Sequence, residues 1–185
     1  MGHIYLYFGT GGGKTTNALG LALRSVGHGH KVVIIQFMKY WKGTGEYKIR
    51  ERLKPHYEIY QFGVPGWLKA SNVETKVNRE LVSSMRPPNE QDVAKAKEAL
   101  EFSKRMIKEG APDLLILDEI CLAVHFGLIE ASEVLALLRE LPDETDAVLT
   151  GRYASQELID AADFVVEIKE IKSPDKLLMR EGIQF

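Results

Sequence analysis

The chain has a single cysteine, Cys121, among 185 residues. That excludes an internal disulfide and fits a reducing compartment, read here as the cytoplasm. No stretch reaches the ~18 consecutive apolar residues of a membrane span, and the first residues lack the apolar core of a secretory signal. Basic blocks are missing too. Lys and Arg total 24 against 26 Asp and Glu, a net charge of −2, so neither nucleic acid nor an anionic membrane is expected as the main partner. The histidines (His3, His28, His30, His56 and His125) show no zinc-ligand spacing with Cys121. Repeats and low-complexity segments are absent as well. What is present is 45% hydrophobic content, which suits one domain with a core of its own.

Strand-like and helix-like segments alternate, which predicts an α/β fold with a mostly parallel sheet flanked by helices. Apolar runs predict strands at Ile4 to Phe8, Lys31 to Phe37, Glu58 to Phe62, Leu114 to Leu117, Ala147 to Leu149 and Phe164 to Ile168. Leu19, Ala22, Leu23 and Val26 follow helical spacing, and Gly27 and Gly29 would end that helix. Pro88-Asn89-Glu90 opens a longer one with Val93, Ala96, Leu100, Ser103 and Ile107 along one face, closed by Gly110 and Pro112. Ala131 to Leu141 and Gln156 to Ala161 read as further helices. Three stretches resist this pattern: Met38 to Gly45, the connection Gly63 to Pro87, and the tail Lys172 to Phe185. A connection of about 25 residues in a compact domain is usually functional or disordered, and Trp67 within it favours function.

Gly9 to Thr16 reads Gly-Thr-Gly-Gly-Gly-Lys-Thr-Thr between a predicted strand and a predicted helix, where a phosphate-binding loop belongs. Gly9, Gly11, Gly12 and Gly13 let backbone N–H groups converge on a polyphosphate, with Thr10 and Thr16 in the same run. Lys14 adds a point charge, and the Thr15 hydroxyl can reach a bound Mg²⁺. The loop is short: three residues, not the usual four, separate Gly9 from Gly13. Leu114 to Leu117 runs into Asp118-Glu119, which places either carboxylate at the sheet's carboxyl edge for the metal or as a cap for the next helix. Arg152, after the strand ending at Leu149, should lie at the same edge and can fork onto a triphosphate. Arg24 stands ten residues beyond Lys14, about 15 Å along the helix at ~1.5 Å per residue. Cys121 reads as a small buried side chain, with no neighbour to activate its thiol.

The chain resembles the ATP:corrinoid adenosyltransferases that use a phosphate loop. The resemblance rests on the shortened loop at Gly9 to Thr16, on Arg24-Ser25-Val26-Gly27-His28-Gly29, and on Val33 to Phe37 followed by Lys39. It resumes at Leu117-Asp118-Glu119, at Thr150-Gly151-Arg152, at Leu158-Ile159 with Ala162-Asp163, and at Glu181 to Phe185. It implies a RecA-like phosphate-loop fold and transfer of the 5′-deoxyadenosyl group of ATP to the Co(I) of a reduced corrinoid, with release of triphosphate. It also implies a nucleotide held in reverse by the loop, Arg24 and Arg152, Mg²⁺ (Mn²⁺ as a substitute) on Thr15, Asp118 and Glu119, a reduced flavoprotein as electron donor, and a homodimer. Lys14, Thr15 and Arg152 would stabilise the leaving triphosphate. The family's Gly-Phe-x-Trp motif corresponds to Val64-Pro65-Gly66-Trp67, so Trp67 matches while Pro65 replaces the phenylalanine. Phe62 stands three residues away, and Trp67, Phe62 and Lys39 are the expected corrinoid contacts. An ordinary phosphate-loop NTPase or small kinase and a non-catalytic ATP- or corrinoid-binding protein stay open as alternatives.

Overall fold

The computed structural model describes residues 2–68, 85–174 and 180–183. Six strands form one parallel sheet: β1 (Ile4–Phe8), β2 (Val32–Phe37), β3 (Tyr57–Phe62), β6 (Leu114–Asp118), β7 (Asp146–Gly151) and β8 (Phe164–Glu167). Their order across the sheet is β3-β2-β6-β7-β1-β8. Between β3 and β6 lies a two-stranded parallel ladder, β4 (Trp67–Leu68) with β5 (Met85–Arg86). The helices are α1 (Lys14–Gly27), α2 (Gly45–Lys48), α3 (Arg50–Leu53), α4 (Glu90–Arg105), α5 (Ile120–His125), α6 (Ala131–Arg139) and α7 (Gln156–Ala161). A π-turn, Met106–Gly110, extends α4 to the glycine that was expected to close it.

The central strands are apolar throughout because both faces of the sheet are covered. Every residue of β2 and of β6 is buried. Successive side chains point to opposite faces, so one strand feeds two cores. Val33, Ile35 and Phe37 join Leu115, Leu117 and Leu149 beneath α4 to α7. Val32 and Ile34 join Ile116 and Val148 beneath α1, whose Ala18 and Ala22 let the helix axis come close. The expected strands and long helices are all present, with ends shifted by up to two residues. The short helices α2 and α3 were not foreseen, since a four-residue helix has no periodicity to read.

Helix α4 starts cleanly. The Asn89 side chain accepts from the backbone of Gln91 and Asp92, and Asp92 accepts from the Asn89 N–H. Arg86 forks onto the same Asp92 carboxylate, with Nη2 donating to Oδ1 at 2.9 Å. Its guanidinium and the Asn89 N–H hold that carboxyl below its ordinary value against the opposing pull of burial. The return of the Gly63 to Pro87 connection is thereby pinned to α4; its residues 69–84 lie outside the described residues.

Strand β7 sits between β1 and β6 and ends at Gly151, which has φ +147 and presses on α5. A Cβ there would stand 2.8 Å from the Leu122 nitrogen and 2.9 Å from the Cys121 Cβ. Gly151→Ala should therefore destabilise the fold by about 1–3 kcal/mol, through overpacking and backbone strain together. An unaltered melting temperature would show that the Gly151 contact yields freely.

Candidate active site

The phosphate loop is packed from behind and open in front. Gly9 and Gly13 have φ +116 and +102, a region that side chains with a Cβ rarely adopt. Behind the loop, the Gly11 N–H donates to the Ile168 carbonyl at 2.9 Å, just past β8. A Cβ on Gly9 would fall 2.4 Å from the Ile168 oxygen, and one on Gly11 would fall 2.8 Å from the Lys169 carbonyl carbon. At Gly12 and Gly13 the added atom meets nothing within 4 Å. The loop backbone is therefore open to a polyphosphate along that lip. The N-terminus of α1 faces it with no acidic residue in the first turn and no side-chain cap, which suits an anion.

Lys14 is 6% exposed and folds over its own loop, its ammonium donating to the Gly11 carbonyl at 2.6 Å. Burial pushes its pKa down; Glu119 works against that shift and Arg152 works with it. The cation is thus desolvated and satisfied by one weak acceptor before any phosphate arrives.

Asp118 is 1% exposed and takes four hydrogen bonds. Its Oδ1 accepts from the Thr15 hydroxyl at 2.8 Å and from the Thr150 hydroxyl at 2.7 Å. Its Oδ2 accepts from the Lys39 ammonium at 2.7 Å and from the Gln36 amide at 3.0 Å. Burial alone would raise this carboxyl's pKa, but Lys39 and the two hydroxyls outweigh it and hold Asp118 ionised, below its ordinary range. Lys39 in turn is held above the usual lysine value: burial opposes its charge, and Asp118 overcomes that.

Glu119 is the opposite case. It has φ +64, left-handed for a residue with a side chain, and its N–H donates to the Thr150 hydroxyl at 2.9 Å. Its Oε2 is buried and has no hydrogen-bond partner. Burial first and the Asp118 charge second push its pKa up. Although it occupies the N-cap of α5, it makes no side-chain cap.

Magnesium takes oxygen ligands and usually keeps waters and substrate phosphates beside one or two carboxylates. Thr15 and the orphaned Glu119 oxygen fit that description. Asp118, expected as a ligand, has both oxygens taken by four donors and instead holds the Thr15 hydroxyl in place. Among the described residues no group of three or more His, Cys, Asp or Glu could hold a metal without such outside ligands.

Over residues 1–185 the chain matches the family described as ATP:corrinoid adenosyltransferase BtuR/CobO/CobP. This protein belongs to the ATP:corrinoid adenosyltransferase family. A corrinoid adenosyltransferase from Sinorhizobium is 33% identical over 188 residues, covering 100% of this chain and 80% of its own length. The Escherichia coli K12 corrinoid adenosyltransferase is 33% identical over 171 residues, covering 92% of this chain and 78% of its own. Among solved structures, a KaiC-like protein from Pyrococcus horikoshii aligns with TM-score 0.55 at 16% identity, covering 92% of this chain and 75% of its own. That likeness supports the RecA-like phosphate-loop fold of this adenosyltransferase.

The fold gathers Lys14, Thr15, Asp118, Glu119 and Arg152 at one edge of the adenosyltransferase. Arg152 is exposed beyond Gly151, and its charge acts on Lys14 and Glu119. Thr10 and Thr16 are exposed at the loop and the first turn of α1. Arg24 is exposed near the far end of α1 and is not brought to the loop. Of the expected corrinoid contacts, Lys39 is paired with Asp118, while the half-buried Phe62 packs on Phe102 of α4 at 5.2 Å between ring centroids. Trp67 is described by its backbone, in β4 opposite Met85. Sequence reading missed Gln36, Glu46, Gln61 and the Thr150 hydroxyl. One signal was available: Gln36 is the lone polar residue of a strand buried along its whole length, and such a group needs a partner.

Two outcomes follow from these charges. Metal-free ATP should bind more weakly as pH rises through the lowered Lys14 value, beneath the ordinary ~10.4, because binding must then bring in a proton. Calorimetry in buffers of different ionisation enthalpy reads that uptake, and none at alkaline pH would uncouple Lys14 from the nucleotide. Glu119→Gln should leave the ligand-free protein as stable or more so above about pH 4.3, since it removes a buried carboxyl that resists ionisation. The same variant should bind Mg·ATP less tightly; undiminished binding would take Glu119 out of the metal site.

Proposed function

We propose that this protein transfers the 5′-deoxyadenosyl group of ATP to the cobalt of a reduced corrinoid and releases triphosphate. Family membership makes the assignment, and one observation of the site supports it most. The site concentrates groups that stabilise a leaving polyphosphate, yet among the described residues it offers no ready protein nucleophile. Cys121 is buried, and its thiol is pushed up to about 12, first by burial and then by Glu119. Asp118 has its carboxylate oxygens taken by four donors and is a poor base.

The proposed chemistry needs neither. Co(I) brings the electron pair, attacks C5′ and becomes formally Co(III). The C5′–O bond breaks, its electron pair leaves with the triphosphate, and no proton has to move. Triphosphate gains charge as that bond breaks, so Lys14, the loop N–H groups and Arg152 bind the transition state more strongly than the ground state. Mg²⁺ or Mn²⁺, held by Thr15 and Glu119 with Asp118 orienting the Thr15 hydroxyl, would supply further positive charge to the phosphates. The reading extends to a reduced flavoprotein as electron donor, a homodimer and a cytoplasmic location, all from family likeness. Among the described residues no helix is long and apolar enough to cross a membrane.

A second reading has one observation in its favour. Glu119, next to Asp118 and raised in pKa, is placed as the water-orienting carboxylate of an ordinary NTPase would be. Products separate the two. With ATP, Mg²⁺ and chemically reduced cobalamin we expect adenosylcobalamin and intact triphosphate, and Lys14→Ala should lower kcat/KM about 10²–10³-fold. ADP and orthophosphate without an alkylated corrinoid would establish the NTPase instead.

A further inference from the structure

Directly after β2 the chain turns at Met38, which has φ +57 and whose N–H donates to the Phe62 carbonyl at 2.7 Å. A left-handed methionine is strained, and such strain gathers at functional sites. The turn sends Lys39 to Asp118 and leaves Tyr40 and Trp41 45% and 48% exposed. Trp41 lies against Gly43, where an added Cβ would stand 2.5 Å from the indole nitrogen.

Two buried polar atoms, one in this turn and one at the end of β3, have no hydrogen-bond partner among the described residues: the Thr44 Oγ1 and the Gln61 Oε1. Thr44 is only 8% exposed. The orientation of Gln61 follows from its neighbours. The Asp118 carboxylate requires the Gln36 amide nitrogen at 3.0 Å, which turns the Gln36 oxygen toward Gln61. That oxygen accepts from the Gln61 nitrogen at 2.9 Å, and the Trp41 carbonyl accepts from the same nitrogen at 3.3 Å. Gln61 is left presenting an acceptor. A buried polar group left unpaired is costly, so one in the turn and one at the end of β3 point to a ligand that completes them.

The chemistry of that ligand can be narrowed. The charges nearby are already matched, Lys39 lying between Asp118 and Glu46. The two unpaired atoms are themselves neutral, one acceptor and one hydroxyl, beside two exposed aromatic rings, and the neighbouring Lys42 lies over the Tyr47 ring. A primary carboxamide beside a broad apolar surface satisfies the set, with its N–H to Gln61 and its carbonyl to Thr44. A corrinoid is such a molecule, an apolar macrocycle fringed with carboxamides. Position agrees. In the strand order, β3 is four places from β1, about 19 Å at ~4.8 Å per strand, so the subsite lies across Asp118 from the phosphate loop.

We infer that the turn after β2 and the end of β3 form a carboxamide-recognising subsite for the corrinoid rim, with Gln61 accepting, Thr44 donating, and Tyr40 and Trp41 against the apolar ring. It rests on the adenosyl-transfer reading of the same edge. Thr44→Val tests it cleanly, because the hydroxyl it removes has no partner among the described residues. Its melting temperature should equal or exceed that of the wild type. Its KM for cobalamin should rise about 2- to 10-fold, the worth of one hydrogen bond, with the KM for ATP unchanged. Tyr40→Ala should weaken cobalamin binding in an absorbance titration without ATP. An unchanged KM for cobalamin in Thr44→Val, or a rise in KM for ATP instead, overturns the subsite while leaving adenosyl transfer standing. A wild-type protein that binds cobalamin but alkylates none overturns the reaction rather than the subsite.

Discussion

One buried carboxylate organises the site. Removing Asp118 from water costs several kcal/mol unless its lone pairs are filled, and they are filled by Thr15 from α1, Gln36 from β2, Lys39 from the following turn and Thr150 from β7. No two of these donors come from the same element. The ion is therefore tolerable only when the phosphate loop's helix, two strands and the turn after β2 are all in place. Strand order makes this possible: β7 and β2 flank β6, so their carboxyl ends deliver Thr150 and Gln36 from either side.

The same arrangement explains why neighbouring carboxyls behave in opposite ways. Asp118 has its charge matched by hydrogen bonds within the protein, while Glu119, one residue on, has a buried oxygen with none. A left-handed backbone at Glu119 holds that oxygen in place and directs its N–H to the Thr150 hydroxyl, which also serves Asp118. Lys14 is the cationic counterpart, buried against a neutral carbonyl. The ligand-free site thus stores one unmatched acid and one poorly matched base. In the proposed reaction a metal–polyphosphate complex would satisfy both, drawing part of its binding energy from charges already desolvated by folding.

Much of this was legible in the sequence, for physical reasons that differ by element. The phosphate loop and the run from Leu114 to Asp118 declare themselves because strand and helix periods change there and the chemistry falls at the joint. The relay from Asp118 through Gln36 to Gln61 could not be read. It joins residues 25 and 82 positions apart, and only the β3-β2-β6 register brings them together. Arg24 was readable as an outlier, since ten residues of helix carry it away from the loop. Lys39, expected at the corrinoid, is bound to Asp118, a pairing visible only once β2 and β6 lie side by side. The helix at Ile120–His125 was legible only as the element an acidic cap at Asp118 or Glu119 would open, and it opens on a left-handed glutamate that makes no side-chain cap.

The short loop has a mechanical consequence. Its rear is sealed by the chain after β8, where neither Gly9 nor Gly11 has room for a single methyl group, so the loop can neither swell nor tilt backwards. Of the loop glycines, Gly12 and Gly13 have open space before them, and they adjoin Lys14 and Thr15. A polyphosphate gripped there would be fixed in position relative to Asp118 through Thr15. Lys39 then links that position to the turn that carries Tyr40 and Trp41, through a single ion pair with Asp118. A reaction that joins a carbon of one substrate to a metal of another gains most from such fixed spacing, because the entropy of bringing both partners together is lost at binding and not at the transition state. The rigidity of the loop and the saturation of Asp118 therefore serve one end: they fix the distance across which two bound molecules must meet.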